Sequence, residues 1–138
     1  MVALLIGHKG SGKTKKLITM ANGAVETSTG NVVVIEKGAK LTYDLTHKAR
    51  LVDTEQTGIV GYDMLYGFIS GICAGNYDVK EIFVDSTFKI CGKDFALLEE
   101  FLKKLSALSE NSETKITLLI SAEHSELPEG ICTLCEKI

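Results

Sequence analysis

Short runs of apolar residues recur along this chain, and most of them are apolar throughout rather than alternating with polar residues. A strand of that kind is buried on both faces, which is typical of a parallel sheet covered by helices. The segments between the runs carry apolar residues at helical spacing, so helices are predicted between the strands. The predicted strands are residues 2–6, 31–36, 49–54, 81–86 and 115–121.

The helices are predicted from apolar residues that recur every three or four positions. One helix should follow the glycine-rich residues 7–14 and end near Gly30, because glycine commonly terminates helices. Another should span residues 61–76. A third should begin after Asp94, which is a candidate N-cap, and a short helix should follow Pro128.

These elements predict an α/β protein. Its fold class is a three-layer α/β/α sandwich with a mostly parallel sheet of about five strands, in a single domain over residues 1–138. The helix over residues 61–76 carries Gly67, Gly71 and Gly75 four residues apart. Because glycine has no Cβ, we expect this helix to lie close against the sheet.

The bulk composition excludes some classes of function. A formal net charge of −3 gives no general attraction to nucleic acid or anionic lipid. No apolar run approaches the ~20 residues of a membrane span, and a cytoplasmic location is expected. There the four cysteines should be reduced. Cys132 and Cys135 form a C-x-x-C pair without a second pair, so they are interpreted as buried or idle thiols rather than zinc ligands.

The stretch GHKGSGKT, residues 7–14, is the one specific motif in the chain. It follows a predicted strand and precedes a predicted helix, as a phosphate-binding loop requires. Glycines let successive N–H groups point inward, and the helix adds its positive end. The Lys13 ammonium can reach the β- and γ-phosphates, and the Thr14 hydroxyl can ligate Mg²⁺. The residues predicted to bind the nucleotide are Gly7, Gly10, Ser11, Gly12, Lys13, Thr14 and Lys15.

On this motif and the order of its elements, the chain resembles the P-loop NTPases, and more narrowly their RecA-like branch. It also resembles small stand-alone clostridial-type proteins labelled twitching-motility PilT-like ATPases. The resemblance implies an Asp at the end of a buried strand that holds Mg²⁺ through water. Asp85, after IFV, fits that description, and Asp53 is the rival. The resemblance further implies a strand between the phosphate-loop strand and the Asp strand, ending in a polar sensor residue, for which Ser121 is the candidate.

Catalytic residues are also implied by the resemblance. Many such ATPases place a glutamate directly after the metal Asp, but Ser86 stands there in this chain. Recombinase-like and rotary-type ATPases use a glutamate just after the second strand, and Glu36 ends that strand here. The predicted catalytic residues are therefore Lys13, Glu36 and Ser121. Glu123 is a weaker candidate for orienting water.

The predicted function is a small ATP-binding protein with slow, Mg²⁺-dependent hydrolysis, so ATP and Mg²⁺ are the expected cofactors. A small-molecule kinase of the nucleoside type is an alternative, although this chain lacks the zinc-bearing lasso domain of the thymidine kinases that it resembles. A nucleotide-responsive binding module without turnover is another. The expected partner is a nucleoside triphosphate, with no membrane and no indication of nucleic acid. A homo-oligomer or an unidentified protein partner is left open.

Overall fold

Six strands form one sheet, and every neighbouring pair of strands in it runs parallel. The computed structural model describes residues 1–138. The strands are β1 (Val2–Gly7), β2 (Asn31–Glu36), β3 (Arg50–Asp53), β4 (Val79–Val84), β5 (Lys115–Ser121) and β6 (Glu136–Lys137). Their order across the sheet is β3–β2–β4–β5–β1–β6, so β3 and β6 are the edge strands.

Helices cover both faces of this sheet, which gives the three layers predicted from the sequence. On one face, α1 and the turns that follow β2 enclose a smaller apolar cluster. On the other face, α3 and α5 enclose the larger cluster, with residues of α4 and α6 packed into it. The helices are α1 (Lys13–Thr27), α2 (Thr54–Thr57), α3 (Tyr62–Gly75), α4 (Thr87–Cys91), α5 (Phe95–Ser112) and α6 (Glu129–Leu134).

Local sequence explains where the long helices begin. The Asp94 carboxylate accepts a hydrogen bond from the Leu97 N–H at 3.0 Å, so Asp94 is the N-cap of α5 as predicted. Gly12 precedes α1 in the left-handed conformation, with φ 88°, which favours glycine. The first helix ends at Thr27, with Ser28 as its C-cap, rather than at Gly30.

The five predicted strands are confirmed, with shifted bounds for three of them. The first extends to Gly7, the third is shortened to Arg50–Asp53, and the fourth spans Val79–Val84. The sheet is fully parallel with six strands, rather than mostly parallel with about five, because β6 adds to β1. The short helices α2 and α4 were not predicted. None of the helices combines the length and the apolar character that a membrane span requires.

The strand order fixes where a site can form. β5 lies between β1 and β4, as the resemblance implied, so the carboxyl ends of these three strands meet at one edge of the sheet. The chain leaves β1 through α1 on one face and leaves β4 through α4 and α5 on the other. Ligands of open α/β sheets bind in the crevice that such divergent connections leave at the carboxyl edge.

Candidate functional site

A cavity of about 600 Å³ lies at this carboxyl edge. Its walls come from the glycine-rich turn after β1, the start of α1, the segment after β4 and the end of β5. Its volume falls within the range of small-molecule sites. The lining residues are Lys9, Gly10, Gly12, Lys13, Thr14, Lys15, Asp85, Ser86, Phe88, Lys89, Leu119 and Ser121.

The glycine-rich turn presents main-chain N–H groups that have no acceptor within the protein. Gly10 and Gly12 both have positive φ, 86° and 88°, which turns the backbone between β1 and α1. In this turn the Ser11 N–H donates to the His8 carbonyl at 3.2 Å and the Lys16 N–H to the Gly12 carbonyl at 3.1 Å. The amides without an acceptor are those of His8, Lys9, Gly10, Gly12, Lys13, Thr14 and Lys15, and the last five of these belong to residues that line the cavity. Such a set at a helix N-terminus is suited to an anion.

Lys13 projects from the first residue of α1 toward this turn. Its Nζ donates a hydrogen bond to the His8 carbonyl at 2.8 Å. Desolvation lowers the pKa of the Lys13 ammonium, and the nearby Asp85 carboxylate only partly offsets that effect. The ammonium is therefore held by one carbonyl in a partly desolvated place, where an anion would stabilise its charged form.

Thr14 and Asp85 meet across the cavity although they are 71 positions apart in sequence. The Thr14 hydroxyl donates to Asp85 Oδ1 at 3.3 Å, and the Ser86 hydroxyl donates to Asp85 Oδ2 at 3.1 Å. Asp85 is 6% exposed, so its carboxylate is nearly buried at the cavity floor. A hydroxyl and a carboxylate facing each other are oxygen ligands of the kind that Mg²⁺ takes, with water completing its shell.

Asp53, the rival candidate for the metal, lies elsewhere. Its Oδ1 accepts the Gly38 N–H at 2.8 Å and the Glu55 N–H at 2.9 Å. Asp53 is thus the N-cap of α2, and it also stabilises the turn after β2. The structure brings Asp85, and not Asp53, to Thr14.

The cavity lining is strongly basic. Asp85 is its single carboxylate, in a chain whose net charge is −3. Ser121 lies at the end of β5, beside Gly7 in the register of β1 and β5, and its side chain lines the cavity. This lining favours a ligand with several negative charges. The cationic side chains are those of Lys9, Lys13, Lys15 and Lys89.

Gly7 and Ser11 are the two predicted phosphate-loop residues that do not line the cavity. Ser11 folds back over Gly7, and a Cβ at Gly7 would collide with the Ser11 hydroxyl. These two residues therefore contact each other within the turn and do not face the cavity.

Glu36 does not line the cavity. It is only 2% exposed, and its two oxygens accept the N–H groups of Lys40 at 3.0 Å and Leu41 at 3.2 Å. Burial raises the pKa of Glu36, and those two hydrogen bonds counter the rise. Both oxygens of this carboxylate thus bond to the turn after β2, away from the cavity lining, and the role of Glu36 in orienting water stays a prediction.

Several cavity residues were missed in the sequence because they belong to the short helix after Asp85. Ser86 has a positive φ of 57°, unusual for a residue with a side chain, and it turns the chain into α4. Phe88 and Lys89 then face the cavity from α4. The apolar run IFVD, which ends at Asp85, was the available sequence signal for this side of the cavity. The helix α4 itself could not be predicted, because five residues are too few to show a helical repeat of apolar positions.

The cysteines are not arranged with other side chains as a metal site. All four are free thiols, and no group of His, Cys, Asp and Glu is arranged to hold a metal ion. Burial raises the pKa of Cys135 to about 11 and that of Cys91 to about 12. A thiol with so high a pKa carries little reactive thiolate at neutral pH.

Comparison with known proteins gives no family to which the chain can be assigned. No family model matches the sequence, and no curated protein matches it either. The fold and the site therefore carry the functional argument: a parallel α/β sheet with a basic, amide-lined cavity at its carboxyl edge.

Proposed function

We propose that this chain is an ATP-binding protein of the P-loop NTPase fold, in its RecA-like branch, with slow Mg²⁺-dependent hydrolysis. The observation that carries the proposal is the set of main-chain amides without acceptors between Gly10 and Lys15, which line or adjoin a basic cavity. The GHKGSGKT motif and the position of β5 between β1 and β4 support the same assignment.

The residues fit a magnesium nucleotide. The amides of the turn and the Lys13 ammonium would hold the phosphates, and the Thr14 hydroxyl with the Asp85 carboxylate would hold the metal. Magnesium, when bound, supplies charge neutralisation for the phosphates. Ser121 would act as a polar group beside them. Phe88 and Leu119 give the cavity an apolar surface.

Slow turnover follows from the carboxylates available. Phosphoryl transfer to water needs a group that orients the attacking water. Asp85 is the single carboxylate in the cavity lining and already bonds to Thr14 and Ser86, while Glu36 is committed to main-chain amides. These contacts also favour a second candidate, a nucleotide-binding module that does not hydrolyse its ligand.

Incubation of the purified protein with ATP or GTP and Mg²⁺ tests both candidates, with binding followed by calorimetry and turnover by phosphate release. We expect saturable binding and turnover well below the ~10 s⁻¹ that is typical of enzymes. Lys13→Ala, purified in parallel, reports any contaminating phosphatase. Binding without phosphate release would favour the module, and absence of binding to either nucleotide would refute the proposal.

A further inference from the structure

A second cavity, of about 390 Å³, lies at the opposite end of the sheet from the phosphate turn. Val33 of β2 and Val52 of the edge strand β3 line it from the sheet, and Phe68 and Ile72 line it from α3. The opposite side of α3 packs against α5, and no residue of α5 lines this cavity. We call it the β3–α3 groove. Its volume suits a small organic molecule.

The groove exists because α3 lacks side chains where it borders this space. Gly71 and Gly75 line it, and a Cβ added at either position would meet no atom within 4 Å. α3 does pack against the sheet as expected, through Leu65, Ile69 and Cys73, but its glycines make no close contact there. Gly71 lies in the interior of α3, where glycine costs about 1 kcal/mol relative to alanine, and no close contact at this position explains that cost.

Two cations stand at the rim of the groove without partners. Arg50, the only arginine in the sequence, and Lys48 line the groove, and neither side chain takes part in an ion pair or a side-chain hydrogen bond. Arg50 lies on the same face of β3 as Val52, since residues two apart along a strand point to the same side. No acidic residue lines the groove.

We propose that the β3–α3 groove binds a small organic carboxylate with an apolar body. The apolar body would lie between the valines of the sheet and the α3 side chains Phe68 and Ile72. Its carboxylate would pair with the guanidinium of Arg50, whose planar fork suits a carboxylate, and with Lys48. The assignment rests on the shape and charge of this groove, and it is independent of the proposed nucleotide site.

The probe for the test is 8-anilinonaphthalene-1-sulfonate, which joins an aromatic body to one anionic group and fluoresces when shielded from water. We expect one saturable site with a dissociation constant below about 1 mM. Decanoate should displace the probe, whereas decanol, which has the same chain without the charge, should displace it less. Absence of saturable binding would overturn the proposal, as would displacement of the probe by Mg-ATP.

A matched pair of glycine substitutions locates the site. Gly71→Leu would extend a side chain into the groove, whereas Gly67→Leu places the same side chain on α3 outside it. Leucine has a higher helix propensity than glycine, so both variants should unfold at or above the parent's denaturant midpoint. We expect at least a tenfold loss of probe affinity in Gly71→Leu alone. Equal affinity in both variants would overturn the location.

The charge is tested separately at Arg50. Because Arg50 is exposed, its ion pair should be worth little, and Arg50→Gln should weaken probe binding about two- to fivefold. Arg50→Lys keeps the charge and should recover part of that affinity. If Arg50→Gln binds the probe as tightly as the parent, the assignment of an anionic ligand is wrong.

Discussion

Replacement of Lys13 by alanine should separate nucleotide binding from folding. In the folded chain the Lys13 ammonium has one hydrogen bond, to the His8 carbonyl, and its pKa is lowered by desolvation. A lowered lysine pKa means that folding disfavours the charged form, so removing the ammonium takes away no net charge stabilisation. The free energy of unfolding should change by no more than about 0.5 kcal/mol, as for most surface substitutions.

The same substitution should strongly weaken ATP binding. A hydrogen bond to a charged group is worth about 1.5–3 kcal/mol. That loss corresponds to roughly a ten- to hundredfold increase in the dissociation constant of Mg-ATP. Lys16→Ala is the matched control, because Lys16 lies in the same turn of α1, is exposed and does not line the cavity.

Isothermal titration calorimetry with Mg-ATP measures the affinity, and urea unfolding without nucleotide measures the stability. Parent and Lys16→Ala should bind ATP alike, and all three proteins should unfold at similar urea concentrations. Equal ATP affinity in Lys13→Ala and the parent would refute the phosphate role of Lys13. A large loss of stability would refute the interpretation that Lys13 faces an open cavity.

Two further substitutions probe the floor of the site and the turn beside it. Asp85→Asn should abolish the increase in ATP affinity that Mg²⁺ provides, because Asp85 is the carboxylate facing Thr14. Titrations with Mg²⁺ and with EDTA measure this increase, and an increase in the variant equal to that in the parent would contradict the prediction. Glu36→Ala should lower the free energy of unfolding by about 2–6 kcal/mol, since two amides lose their acceptor at about 1–3 kcal/mol each. Glu26→Ala, at an exposed position of α1, is its control, and a loss of turnover in Glu36→Ala without a loss of stability would instead support the catalytic role of Glu36.

The strands could be predicted because burial leaves a direct mark on composition. β1, β2 and β5 are buried along nearly their whole length, so their sequences are almost entirely apolar. β6 has no such mark, because Glu136 and Lys137 are exposed and pair with β1 only where the chain returns to it. Two residues of that type carry no period, so the sixth strand could not be predicted.

The site was predictable where side-chain identity carries the chemistry. Gly12, Lys13 and Thr14 are specified by the motif, and Asp85 by its position after a buried strand. The surroundings of Glu36 were not predictable, because its partners are main-chain amides, which every residue except proline provides. Residue type placed a carboxylate at the end of β2, but only the path of the following turn decides which groups its oxygens contact.

The measurement that tests the central claim most directly is the amide chemical shift of the glycine-rich turn during a titration with Mg-ATP. Two-dimensional ¹H–¹⁵N spectra report each main-chain N–H separately. If these groups bind phosphate, the largest saturable shifts should fall on the amides of Gly10, Gly12, Lys13, Thr14 and Lys15, which have no acceptor within the protein. Shifts confined to other parts of the chain, or no saturable shift at millimolar Mg-ATP, would contradict the account.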